Sequence, residues 1–205
     1  MAYHPFIFRG LKSITNADPQ QRSLIKLIRH NISVYCPHTA VDSAFGGVND
    51  FLADGIIKGY KEHSRDVIQP DSEDPKCGMG RIVVLDKPAP LSSLIQNVKE
   101  SLGLSSVQVA CSRDHGIQSE IKTIAICAGS GGSIFKGVAA DLYYTGELSH
   151  HEALYLSESG SSVISCNHSN TERPFLEVIK KQLSDEIPGS EIIISETDKD
   201  PFALY

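Results

Sequence analysis

The sequence predicts an α/β fold with largely parallel strand pairing. Three observations carry that reading. Through the second half of the chain, apolar runs of strand length alternate with segments of helical length and pattern. Residues 121–128 read as a buried strand and lead directly into Gly129-Ser130-Gly131-Gly132-Ser133. Each polar cluster that could carry chemistry follows a predicted strand. In open α/β sheets with right-handed crossovers, that is the end where ligands bind.

The elements follow in order. Residues 18–30 form an amphipathic helix, with Asp18 as N-cap, Pro19 at its first position and Leu24, Leu27 and Ile28 on one face. A strand at 32–36 stops at Pro37, and a helix runs from about 48 to 53 after Gly46-Gly47. Residues 60–77 are polar, with Pro70, Asp71, Asp74 and Pro75, and read as a short surface loop. Strands are expected at 82–85, 107–111, 121–128, 141–145, 162–166 and 192–195. Helices are expected at 91–102, from about 134, at 149–159 and at 173–183. Ser149 suits a cap, and Gly160 suits the end of its helix.

Composition narrows the function classes. The 205 residues suffice for one sizeable core, and 40% hydrophobic with 21% charged residues is an ordinary globular balance. No apolar run reaches the ~20 residues that span a bilayer, so no membrane contact is expected. A net charge of −6 without a basic stripe argues against direct nucleic-acid binding. The five cysteines, Cys36, Cys77, Cys111, Cys127 and Cys166, are widely spaced with no C-x-x-C, so thiolate zinc is not expected. Reduced thiols imply an intracellular, cytoplasmic protein.

Several residue groups could carry chemistry, and each also has a plain structural reading. His168 and Glu172 stand four apart, so helical geometry would place an imidazole and a carboxylate on one face for a divalent ion. Equally, Asn170 or Thr171 could cap a helix with Glu172 in its first turn. His38 and Asp42 repeat the spacing after another strand, where a turn histidine and a capping aspartate would look the same. His4 precedes the apolar run Phe6-Ile7-Phe8. Gly129, Ser130, Gly131, Gly132 and Ser133, opening a helix, could cradle an anion with backbone N–H groups, or form a tight turn. Glu147, His150 and His151 could support a metal ligand or touch a substrate, or be the polar first turn of a capped helix. No catalytic triad can be picked out.

Read together, these motifs resemble a known family. Tyr3-His4-Pro5-Phe6-Ile7-Phe8, His38-Thr39-Ala40-Val41-Asp42, Gly46-Gly47-Val48-Asn49, Cys127-Ala128-Gly129-Ser130-Gly131-Gly132-Ser133, Thr145-Gly146-Glu147-Leu148-Ser149-His150-His151 and Asn167-His168-Ser169-Asn170-Thr171-Glu172-Arg173 occur in one order. That order is similar to the Nif-three-like family, also called GTP cyclohydrolase 1 type 2 homologs. Residues 1–205 read as a single Nif-three-like region.

The resemblance implies a two-lobed α/β fold with mixed, largely parallel sheets, assembled as a toroidal homohexamer. It implies a pair of divalent cations (zinc, iron, manganese or magnesium) held by His4, Asp42, His168 and Glu172, with Glu172 bridging. A metal-dependent hydrolase of a nucleotide-like substrate follows as one function. The alternative is a non-enzymatic interaction protein, a corepressor partner of transcription-related proteins that also enters the nucleus. Three departures stand out. Many bacterial members have His-His-Pro where this chain has Tyr3-His4-Pro5. Only the polar loop 60–77 stands where some carry an inserted domain. A further amino-terminal segment normally precedes the motif, so the region is expected to be incomplete at that end.

Overall fold

A computed structural model describes residues 1–202. The chain divides into two compact units, Met1–Val41 and the part from Asp42 onward. The first unit holds one helix of length, α1 (Pro19–Arg29). Asp18 caps it, its carboxylate accepting from the Gln21 N–H at 2.9 Å, and Pro19 begins it. The expected strand at 32–36 does not form; those residues are irregular. The short helix α2 (Thr39–Ser43) runs across the division.

The second unit is built on a six-stranded mixed sheet. Its strands are β1 (Glu62–Pro70), β2 (Gly78–Pro90), β3 (Gln108–Ala110), β4 (Glu120–Ser130), β5 (Leu142–Glu147) and β6 (Ser162–Ser165), in the order β1-β2-β4-β5-β6-β3. Parallel pairing occupies the centre, β4 with β5 and β5 with β6. The flanking pairs, β1 with β2, β2 with β4 and β3 with β6, are antiparallel.

Helices cover both faces. Ile124, Ile126, Leu142, Tyr144 and Ile164 lie towards α3 (Val48–Ile56) and α4 (Leu91–Leu102) and are fully buried. On the other face Ala125, Cys127, Tyr143 and Val163 form a cluster with Ile134 and Phe135. Leu156 of α5 (His150–Glu158) packs against it. Ser149 and Glu152 close a capping box at the start of α5. The chain then makes 3-10 turns at Ser169–Thr171 and Arg173–Phe175 before α6 (Leu176–Glu186).

Three expectations need correction. Half of the polar loop at 60–77 is the edge strand β1. Its mix of exposed and half-buried residues is what an edge position tolerates, and its backbone is paired through the long hairpin with β2. No helix starts near 134: Ile134 and Phe135 donate to the Gly131 carbonyl in successive turns, and their side chains enter the core cluster instead. No strand forms at 192–195, which is irregular.

One side chain in the sheet differs in character from its apolar neighbours. Arg81 sits mid-strand in β2, opposite Ile126, and is 2% exposed. All five of its N–H donors are used. Nε and Nη2 donate to Asp50 at 3.1 and 3.0 Å, Nη1 to the Gly78 and Gly80 carbonyls, and Nη2 also to the Ala44 carbonyl. A buried guanidinium survives only when satisfied in this way. Asp50 also accepts from the Gly46 N–H. This network ties the turn at 44–50 to the sheet.

Candidate metal centre

The centre is built where the parallel strands end. Gly146 near the end of β5 lets three chain segments close up. A Cβ there would stand 2.5 Å from the Gly129 carbonyl oxygen, 2.9 Å from the His168 Cα and 3.0 Å from the Asn167 oxygen. Backbone cannot yield to that contact, so only glycine fits. After β6, Asn167 takes a left-handed turn with φ of 68°, and His168 follows.

His168 and Glu172 come together there. The His168 Nε2 lies 3.2 Å from Glu172 Oε1, and its Nδ1 lies 2.8 Å from Glu147 Oε1. The Glu172 residue is 5% exposed. A 3-10 turn, not an α-helix, brings the pair to one side: Thr171 N–H donates to the His168 carbonyl and Glu172 N–H to that of Ser169. Thr171 does not cap a helix. Its hydroxyl donates to the His168 carbonyl at 2.7 Å and accepts from the Gly129 N–H at 2.9 Å.

Two carboxylates on one imidazole favour its charged form. Glu172 contributes most, Glu147 adds to it, and partial burial opposes both, leaving the His168 pKa raised to about 9. Because the folded value lies above the ordinary 6.5, this stabilises the metal-free fold in full below about pH 6.5 and is lost as pH rises through about 9. In the metal-free protein the His168 ring protons are expected to titrate near 9 by NMR, and Glu172→Gln is expected to bring the midpoint down. A midpoint at the ordinary value in both proteins would contradict the geometry.

The other candidate residues are placed as follows. Asp42 is buried, and its charge adds to the burial that pushes the Cys127 thiol up to about 12. That thiol is inert, as is Cys166, also raised to about 12 by burial. In the first unit, the exposed His4 ring stands 5.2 Å from the Tyr3 ring and 5.4 Å from the His38 ring. His38 has a positive φ of 44°. His150 and His151 are exposed on α5. His151 lines a groove of about 780 Å³ with Phe135, Val138, Tyr143, Leu148 and Tyr155. The anion-cradle reading of residues 129–133 loses its helix terminus, because no helix follows. Gly129 and Ser130 close β4, and the Gly129 N–H is taken by Thr171.

The donor set fits a divalent cation. An imidazole whose Nδ1 side is held by a carboxylate presents Nε2 in a fixed direction, and a buried carboxylate stands beside it. Gly129 supplies the space: a Cβ at this position would lie 3.0 Å from His168 Nε2 and 3.1 Å from Glu172 Oε1. Sequence reasoning missed the buried Asn49, whose Nδ2 donates to the Asp42 carbonyl and whose Oδ1 accepts from the Ala128 N–H. A signal existed: an amide at a core position in an apolar helix must have partners.

Comparison with known proteins then decides the family. Residues 1–201 match the family model described as Duf34/NIF3 (NGG1p interacting factor 3). The chain belongs to this family. It is 47% identical to the protein NIF3 homolog of Schizosaccharomyces pombe over 209 residues, covering 98% of this chain and 74% of that protein. It is 46% identical to NGG1-interacting factor 3 of Saccharomyces cerevisiae over 213 residues, covering 100% and 73%. The NIF3-related protein of Bacillus cereus shares the fold, with a TM-score of 0.80 at 19% identity, covering 100% and 82%. Among the described residues of this NIF3 chain, no helix is long and apolar enough to cross a membrane.

Proposed function

We propose that this chain is a divalent-metal-binding member of the NIF3 family, with His4, Asp42, His168 and Glu172 as ligands. The observation that carries the reading is the pairing of His168 Nε2 with buried Glu172, beside a glycine whose Cβ would crowd both ligand atoms. Zinc, iron, manganese or magnesium would suit this mixed nitrogen and oxygen set. A pair of cations bridged by Glu172 would supply Lewis acidity toward a phosphoryl or amidine-like centre, the chemistry of a hydrolase acting on a nucleotide-like substrate. Glu147, at the Nδ1 side, would hold the imidazole in the orientation that directs Nε2 toward the ion. A toroidal homohexamer is part of the same proposal.

The purified protein is expected to retain a divalent cation through dialysis, measured by elemental analysis. Glu172→Gln is expected to weaken that binding at least about tenfold. No bound cation in the unaltered protein, or unchanged content in the variant, would sink the reading.

A second reading has its own support. The S. cerevisiae relative is named for interaction with NGG1, and it shares 46% of its aligned residues with this chain. We propose that a protein partner of this kind, met in the cytoplasm or nucleus, is bound independently of the cations. A pull-down with the four ligand positions changed to alanine separates the two roles: partner retained with metal lost supports both.

A further inference from the structure

The carboxyl end of β4 holds a feature that the metal reading does not use. Ala128 and Gly129 present consecutive N–H groups there, and both are captured by side chains from elsewhere in the chain. Ala128 N–H donates to Asn49 Oδ1 at 2.8 Å, and Gly129 N–H donates to Thr171 Oγ1 at 2.9 Å. Asn49 and Thr171 are 0% exposed.

Each capturing side chain also donates to the backbone of a proposed ligand. Asn49 Nδ2 donates to the Asp42 carbonyl at 2.9 Å. The Thr171 hydroxyl donates to the His168 carbonyl at 2.7 Å. Two adjacent amides of one rigid strand therefore set the positions of Asp42 and His168, which lie far apart in sequence. Further support comes from behind. Asp50, next to Asn49, is locked by the fully satisfied Arg81, so α3 cannot slide along the sheet.

We propose that Asn49 and Thr171 are positioning residues: a bracket on the end of β4 that fixes the distance between the Asp42 and His168–Glu172 ligands. The proposal rests on the metal-site reading above. Neither side chain touches the cation. They act by holding ligand backbones, and the loss of such supporting contacts lowers metal affinity by about 10–100-fold.

The test is titration of the purified chain with Zn²⁺, following binding by calorimetry, with unfolding followed by circular dichroism. Thr171→Val keeps the shape and removes the hydroxyl; Thr171→Ser keeps the hydroxyl and removes the methyl. Thr171→Val and Asn49→Leu are each expected to weaken Zn²⁺ binding by about 10–100-fold. Thr171→Ser is expected to stay within about threefold of the unaltered protein. A merely structural role for Thr171 predicts the reverse, since serine forfeits packing that valine retains. If valine and serine bind alike, the bracket is overturned while the metal site stands. If the unaltered protein binds no Zn²⁺, the metal reading falls and the bracket with it. Should the valine and leucine variants fail to fold, exchange in the unaltered protein decides. Zn²⁺ is expected to slow exchange of the Ala128 and Gly129 amide hydrogens, and unchanged exchange in the loaded protein overturns the bracket.

Discussion

Replacing Arg81 with methionine is expected to lower the unfolding free energy by about 3–5 kcal/mol, the cost of stranding one partner of a buried pair. The methionine fills much of the same volume, so the loss is not chiefly a cavity. What remains is a set of buried acceptors that each lose a donor. The Asp50 carboxylate keeps the Gly46 N–H and an Arg65 guanidinium at 3.4 Å, and loses two short contacts. The carbonyls of Gly78, Gly80 and Ala44 lose a donor each. Each buried acceptor left bare costs on the order of 1–3 kcal/mol when water cannot reach it. Urea denaturation measures the effect. The double variant Arg81→Met/Asp50→Asn is expected to recover part of the loss, because it removes the uncompensated charge. A single variant within about 1 kcal/mol of the parent would mean that water reaches the site and that the pair is not isolated in the core.

The contrast between Arg81 and its surroundings shows what the sequence made legible. Elements whose cause is local were readable. α4 keeps its expected bounds, 91–102, and the structure shows the local cause: Pro90 precedes it and Gly103 follows with a left-handed φ of 67°. Asp18 and Ser149 marked helix starts by their side-chain chemistry alone. The central parallel strands announced themselves as apolar runs because they are buried on both faces. β1 was hidden for the opposite reason: an edge strand is polar and owes its form to a partner, β2. The strand and glycine-rich turn before residue 134 lead to the expectation of a helix, yet burial of Ile134 and Phe135 in the core cluster requires none.

The centre divides along the same line. The i, i+4 relation of His168 and Glu172 could be read directly, though its realisation as a 3-10 turn could not. Glu147 stands 21 residues before the imidazole that it holds, and Asn49 stands 79 residues before the amide that it captures. Such links are set by sheet order, which puts the ends of β4, β5 and β6 side by side, and no spacing rule reports that.

Gly129→Ala is expected to abolish metal binding while the protein stays folded. Two effects are joined in this substitution and can be separated. Gly129 has a φ of +62°, so alanine there carries a left-handed penalty of about 1 kcal/mol. The added methyl also meets His168 Nε2 at 3.0 Å and Glu172 Oε1 at 3.1 Å, where an ion would have to approach. Gly103 supplies the control. Its φ is +67°, nearly the same, and a Cβ there meets nothing within 4 Å. Gly103→Ala therefore carries the backbone penalty without the steric one. Gly103→Ala is expected to lose about 1 kcal/mol of stability in thermal unfolding and Gly129→Ala somewhat more, and only Gly129→Ala is expected to lose the cation in elemental analysis. Equal retention of metal by the two would place the ion away from the Gly129 side of His168 and Glu172. Equal loss would trace the effect to a weakened fold, not to a filled cradle.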